Sequence, residues 1–265
     1  MLNCHKFNSN LHLSNTIKTV GSNFLYMCIN FDKSLNFDHL MDLTQIGSNF
    51  LLFCEKFNHD IVIKSKKLKY IGDNFLRNCV KFNSNFYLNS PILETIGDSF
   101  FDHCVNFNKP IDLSGLVNVK SIKNYFFHEC YSLNSKINLA PNITKIGNHF
   151  MSNDVEYNCL LTFPNSVEKI GDSCCNNFLM YNHDVNIPES IITKDEMIHR
   201  KDSDDEYGIG NYFFHNCWSM TSTIDFGLHD ITKIFKDGGN RSLTCDIPPH
   251  EIKKSSKFVE CLREN

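Results

Sequence analysis

The sequence predicts a repeat solenoid of about nine units, each 24–26 residues long and built from a short strand plus a short helix or 3-10 segment. Three observations carry that expectation. Residues 71 to 83 read "IGDNFLRNCVKFN" and residues 96 to 108 read "IGDSFFDHCVNFN", almost the same words 25 residues apart. Cys recurs at that interval: Cys4, Cys28, Cys54, Cys79, Cys104, Cys130, then Asp154 and Phe178 in its place, then Cys217. After each of these slots comes an apolar, any, apolar triplet. One such unit cannot bury its own apolar face, whereas stacked copies can, so the repeat is what builds the core.

Each part of the unit follows from its residues. The triplets Ile61/Ile63, Phe86/Leu88, Ile111/Leu113 and Ile137/Leu139 have the period of two that marks a strand with one buried face. A second apolar pair precedes the Gly, as in Leu68/Ile71, Leu93/Ile96 and Val167/Ile170. The Gly column is Gly21, Gly47, Gly72, Gly97, Gly147, Gly171 and Gly210, with Lys123 filling one slot. It marks a turn in which an unusual backbone angle is cheap. The stretch "DNFLRNC" then has room for about two helical turns, with Asp73 or Asn74 as the cap. Phe31, Phe57, Phe82 and Phe107 follow three residues after the Cys, and Asn58, Asn83, Asn108 and Asn134 one residue later. An Asn amide both donates and accepts, so this column is expected to satisfy turn backbone groups in successive layers.

At these residues the chain resembles BspA-type leucine-rich repeats, whose pattern is roughly I-G-x-x-[AF]-F-x-x-C-x-x-L-x-x-[IL]-x-[IL]-P. Residues 96 to 113, "IGDSFFDHCVNFNKPIDL", carry most of its columns, and the resemblance covers about residues 1 to 235. It implies a right-handed α/β-type leucine-rich solenoid. It also implies adhesion or protein binding, the roles of most members on bacterial surfaces, in parasitic protists and in large DNA viruses. The chain departs from the pattern in often lacking the Pro after the strand, in showing no secretion signal, and in beginning inside a repeat with no N-terminal cap.

The solenoid is expected over residues 1–235, with a charged insertion at 193–207 ("TKDEMIHRKDSDDEY") that accounts for the 39-residue step between Gly171 and Gly210. Residues 236–265 read as a C-terminal tail or cap. A formal charge of −4 gives no reason to expect nucleic acid as a partner. No apolar run is long enough to cross a bilayer, and the N-terminus has no basic region followed by an apolar one. An intracellular location is therefore favoured, with reduced thiols.

The Cys column (Cys28, Cys54, Cys79, Cys104 and Cys130) reads as core packing, because a reduced Cys behaves as a small buried hydrophobe. Zinc sites need converging ligands, commonly in close pairs. Here there is one Cys per unit, no C-x-x-C, and His103, His128 and His215 do not share one phase relative to the Cys. No metal or other cofactor is expected. Disulfides between layers are disfavoured because parallel Cβ vectors keep the sulfurs' carriers apart. Cys174–Cys175 stands where other units carry a Phe pair, and a conservative swap is favoured over a redox role.

No nucleophile elbow, phosphate loop or metalloprotease motif is present, so no enzyme is expected. The outward strand residues, among them Asp60, Asn85, Tyr87 and Asp112, form what reads as one continuous, polar, mildly acidic face. The expected function is a protein–protein interaction scaffold binding through that face, on a monomer or a weak end-to-end oligomer. A cell-surface adhesin is the alternative, and an enzyme a distant third.

Overall fold

The computed structural model describes residues 3–193, 196, 208–220, 222, 224–229 and 233. The expected tail at 236–265, and the insertion at 193–207 apart from Thr193 and Glu196, lie outside the described residues. The rest is a solenoid of parallel strands, with residues one repeat apart side by side.

Two rows of strands run along it. The first row precedes the Gly column. It comprises β1 (Thr19–Val20), β2 (Gln45–Ile46), β4 (Tyr70–Ile71) and β6 (Thr95–Ile96) in one sheet, with β8 (Ser121–Ile122), β10 (Lys145–Ile146), β11 (Lys169–Ile170) and β13 (Gly208–Ile209) in the next. Register is one repeat throughout, so Ile46 lies against Ile71 and Ile71 against Ile96. The β13 pairing spans the long step, setting Ile170 against Ile209 across the insertion.

The second row follows the Cys column: β3 (Ile61–Ile63), β5 (Phe86–Leu88), β7 (Ile111–Asp112), β9 (Ile137–Asn138), β12 (Val185–Asn186) and β14 (Ile224–Asp225). It is not the continuous sheet expected. It pairs only as β3–β5, β7–β9 and β12–β14. Two local differences accompany the breaks. Asn85 donates its N–H to the Asp60 side chain, 2.8 Å, but Pro110 holds the equivalent place one turn on and has no N–H to give. Further along, the Leu161 N–H meets the Tyr181 hydroxyl at 3.5 Å, and no strand forms over residues 161–163.

The segment from Gly to Cys forms no helix. Its backbone turns left-handed at the second residue after the Gly slot (Asn49, Asn74, Ser99, Tyr125) and again at the sixth (Phe53, Asn78, His103, Glu129), with φ between 56° and 62°. Alternate N–H groups therefore point to the next turn, although Leu51 N points to the preceding one and the Cys N–H back to its own turn. Asn74 N donates to Asp98 O at 2.8 Å, Leu76 N to Phe100 O at 2.9 Å and Asn78 N to Asp102 O at 2.8 Å. Every turn thus bonds its neighbour at alternate residues, which an internal helix would forbid. Asn is the residue best suited to these positions, because its short polar side chain tolerates the left-handed region.

Asp73 is accordingly no helix cap. Its Oδ1 accepts the N–H of Asp98 in the next turn at 2.9 Å, and Asp98, Asn124, Asn148 and Asp172 repeat the bond at 2.8 Å. The Gly column follows from this bond rather than from a special φ. A Cβ on Gly97 falls 2.4 Å from the Asp73 backbone N, and one on Gly171 falls 2.5 Å from the Asn148 N. The Gly of one turn must lie flat against the residue that follows the Gly of the turn before.

Between the rows lies one apolar core, in which equivalent residues stack. Phe50, Phe75 and Phe100 are 4.6 Å apart, ring centre to ring centre, and nearly parallel. Phe57, Phe82 and Phe107 form a second stack at 6.0 and 5.5 Å. Each fully buried Phe contributes about 1.5–3 kcal/mol through burial alone, so one extra turn extends a favourable column.

Candidate functional site

The strand face carries Asp60, Asn85, Tyr87 and Asp112, all exposed. Tyr87 is the middle residue of β5, opposite Val62 of β3, and is 49% exposed. Strand alternation causes this, because Phe86 and Leu88 on either side point into the core. The Asn89 amide reaches the Tyr87 hydroxyl at 3.4 Å. Asp60 and Asn85 are already engaged with each other, through the Asn85 backbone N–H and, at 3.2 Å, its side-chain Nδ2. Asp112 accepts the Ser114 N–H at 3.0 Å, and bonding to Ser114 holds its carboxyl below the usual range. Asp112 lies across the Pro110 break from Tyr87, so the four residues share a face but not one sheet.

The same face opens into a cleft where the second row lapses. A hollow of about 490 Å³ is lined by Phe163, Asn165, Asn186, Pro188 and Glu189, and an adjoining one of about 280 Å³ by Leu160, Thr162 and Asp184. Apolar alternation predicts an ordinary strand over Leu161 and Phe163. The Tyr181 hydroxyl and Pro164 were the signals that it differs.

The Cys and Asn columns both bridge turns. The thiols of Cys54, Cys79 and Cys104 each lie 3.1 Å from the carbonyl of Leu25, Leu51 and Leu76 in the preceding turn, and that of Cys130 lies 3.2 Å from Phe101 O. Cys28 instead faces Tyr26 O of its own turn at 3.9 Å. Burial pushes the thiols of Cys54, Cys79, Cys104 and Cys130 well above their ordinary range, so they stay protonated and unreactive. Asn58, Asn83, Asn108 and Asn134 accept the N–H of the next residue in their column at 2.8–2.9 Å. Asp154 takes the Cys slot one turn after Cys130. It is fully buried, accepts the Cys130 N–H at 2.8 Å, and leaves its Oδ2 without a partner. Burial pushes this carboxyl well above the ordinary range, so it is held neutral.

The turns between Gly and Cys bring together a polar cluster that the Cys-column phase does not predict. Asp102 Oδ1 lies 2.5 Å from His103 Nδ1 and 3.0 Å from His128 Nδ1. His103 Nε2 lies 2.7 Å from Glu129 Oε2, and Arg77 Nε 2.9 Å from Asp102 Oδ2. The Asp102 side chain is only 3% exposed. Burial tends to raise its carboxyl, but bonds from His128 and His103 and the Arg77 charge outweigh that and hold it below the usual range. The two His do differ in phase relative to the Cys. They meet because His103 is the sixth residue of its turn and His128 the fifth of the next, both beside the fifth-position Asp102. Comparison across turns, rather than with each residue's own Cys, would have revealed it.

The chain matches the pattern of BspA type leucine rich repeat regions over residues 2–108 and 94–237, in six copies rather than the nine repeats expected from the sequence. The chain belongs to the BspA type leucine-rich repeat family. A crystal structure of a leucine-rich repeat protein from Bacteroides ovatus is similar in fold, with a TM-score of 0.59 at 19% identity over 84% of this chain and 50% of that one. The chain thus spans about half the length of that relative. The leucine-rich repeat protein of T. pallidum matches at a TM-score of 0.40 and 14% identity, over 69% of this chain and 63% of that one. A leucine-rich cell surface protein from Faecalibacterium prausnitzii matches at 0.40 and 18%, over 80% and 65%. No curated protein matches the chain. Among the described residues no helix is long and apolar enough to cross a membrane.

Proposed function

We propose that this leucine-rich repeat chain is a non-enzymatic scaffold that binds a protein through its second strand row, with Tyr87 as the anchor. The observation that carries the reading is the half-exposed Tyr87 ring, held upright on the β3–β5 pair by buried neighbours on both sides. An aromatic ring offers a large contact area and loses little freedom on binding. Asp60, Asn85 and Asp112 give the surrounding surface hydrogen-bonding capacity and negative charge, which suits a partner with basic groups. The second row extends from β3 to β14 along the solenoid, and the cleft beside Leu160 offers a partner a second foothold on the same face. A cell-surface adhesin uses the same chemistry and differs only in where the chain is displayed.

The test is capture of partners by the intact chain, followed by affinity measurement with Tyr87→Ala/Asp112→Lys and, as a comparison, Trp218→Ser. Trp218 is exposed on the turn after the Cys slot, away from the strand row. The reading requires weaker binding and slower association at low salt for the double variant, with Trp218→Ser like the parent. The opposite pattern, with binding lost only on changing Trp218, rejects the strand face as the site.

A further inference from the structure

We propose that Asp102, His103 and His128 form a binding site for a first-row divalent transition ion of the zinc type, with Glu129 as the group that orients the His103 imidazole. One donor atom from each of the three lies within 4.8 Å of the other two. The arrangement is more specific than proximity. Both imidazoles present the same nitrogen, Nδ1, to the same oxygen, Asp102 Oδ1. Both turn Nε2 toward the Glu129 carboxylate, at 2.7 Å for His103 and 3.8 Å for His128. An imidazole that ligates through one nitrogen characteristically donates its other N–H to a carboxylate, which fixes the tautomer and raises the basicity of the ligating atom. Glu129 is within that reach of His103, while His128 Nε2 faces it from beyond hydrogen-bond distance.

The remaining neighbours fit this role. Arg77 contacts the far oxygen of Asp102, Oδ2, and leaves Oδ1 facing the imidazoles. The Asn153 amide lies 3.4 Å from Glu129 Oε1 and helps hold that carboxylate in place. His103 and Glu129 both sit at left-handed positions, φ 59° and 58°, where Asn78, Asn153, Asn177 and Asn216 stand in four other turns and Met27 and Phe53 in two. The backbone fixes where both side chains leave the turn.

Chemically the ion takes the place of protons. Contacts of 2.5 and 3.0 Å from two imidazole nitrogens to one oxygen require a proton on each nitrogen. A divalent ion between the three donors takes the place of the Nδ1 protons, each of which leaves to solvent from an imidazolium or passes to Nε2 as a neutral ring changes tautomer, and the ion is then held by two neutral imidazoles carrying Nε2–H and one carboxylate. Zinc bonds to N and O are about 2.0–2.2 Å, so tetrahedral donors lie about 3.3 Å apart. The donors must therefore open by several tenths of an ångström, which rotation of the half-buried His103 ring allows. Three protein ligands leave the fourth position to water. The bound ion would clamp two consecutive turns, since Asp102 and His103 come from one and His128 from the next.

The experiment uses the full chain. Co²⁺ is titrated in and followed by its visible absorption, Zn²⁺ is used to displace it, and the titration is repeated on His103→Asn/His128→Asn and on Glu129→Gln. Circular dichroism checks that each variant is folded. The proposal requires one Zn²⁺-displaceable Co²⁺ in the parent, its loss in the double variant, and an affinity about 10–100-fold weaker in Glu129→Gln. Imidazole ¹⁵N spectra of the unaltered protein give a second readout that does not depend on variants folding. Zn²⁺ should shift the His103 and His128 nitrogens before those of any other His. No Co²⁺ uptake, uptake unchanged in the double variant, or Zn²⁺ shifts confined to other residues each overturns the site and leaves the cluster as an ion-pair network.

Discussion

Gly97 and Gly21 occupy the same column, yet the structure predicts opposite effects when each becomes Ala. A methyl group on Gly97 meets the Asp73 backbone N and Oδ1 at 2.4 Å and the Gly72 carbonyl carbon at 2.5 Å. Two of these atoms are backbone, so relief requires a shift of the preceding turn, and that turn also carries the Asp73–Asp98 bond. Lys123 shows that this column can accept a side chain where the turn is built around one, so the fold survives. Overpacking of this kind costs about 1–3 kcal/mol. Against it stands about 0.4–1 kcal/mol of stabilisation from a less flexible unfolded chain. The net expectation for Gly97→Ala is a loss of about 1–2 kcal/mol. At Gly21 nothing lies within 4 Å and φ is not left-handed, so only the second effect remains, and Gly21→Ala should gain about 0.4–1 kcal/mol. Urea denaturation followed by circular dichroism reads both, with the midpoints as the primary quantity because repeat arrays need not unfold in one step. A Gly97→Ala midpoint at or above that of the parent would refute the close-approach argument.

Other outcomes follow from the same contacts. Thiol labelling of the native chain should modify the half-buried Cys4 and Cys159 well before Cys79 and Cys104, and equal rates would contradict the protonated, buried column. Asn83→Ala and Asn108→Ala remove acceptors from exposed turns that water can re-enter, so each should cost about 0.5–1.5 kcal/mol, and unchanged melting for both rejects the ladder's contribution. Asp154 is neutral when folded and ionises at its ordinary pKa when unfolded. Its contribution is therefore complete below that pKa and declines as pH rises toward the folded value. Asp154→Cys, which restores the column, should flatten this decline and raise the melting temperature at neutral pH. A variant with an unchanged pH profile would show that Asp154 is not the titrating group.

The repeat and its period were legible because Cys, Gly, Phe and Asn mark fixed points of each turn. The Asn side chains and the Cys thiols contact the neighbouring turn, so their recurrence reflects bonds that every turn must make. The Gly-to-Cys segment was misread as a helix because Asp73 and Asn74 are ordinary cap residues. What distinguishes this segment is a second left-handed residue four positions later, Asn78 after Asn74 and Asn153 after His149, and Asn at that spacing was the available sign. The second strand row was read as continuous because apolar alternation is silent about N–H groups. Pro110 and the Tyr181 hydroxyl act on those groups alone. The cluster around Asp102 escaped notice because its members come from three successive turns, and a period aligns residues that share a column, not those that meet diagonally.

The turn-to-turn register of the Gly-to-Cys segment positions both the strand face and the Asp102 cluster. Scalar coupling through hydrogen bonds, measured by nuclear magnetic resonance on the isotope-labelled chain, tests it most directly. The structure predicts coupling from the amide nitrogen of Asn78 to the carbonyl carbon of Asp102, and from that of His103 to that of His128, each one turn ahead. Coupling instead from Asn78 to the carbonyl carbon of Asn74, four residues back, would mean that the segment is helical and that the inter-turn account is wrong.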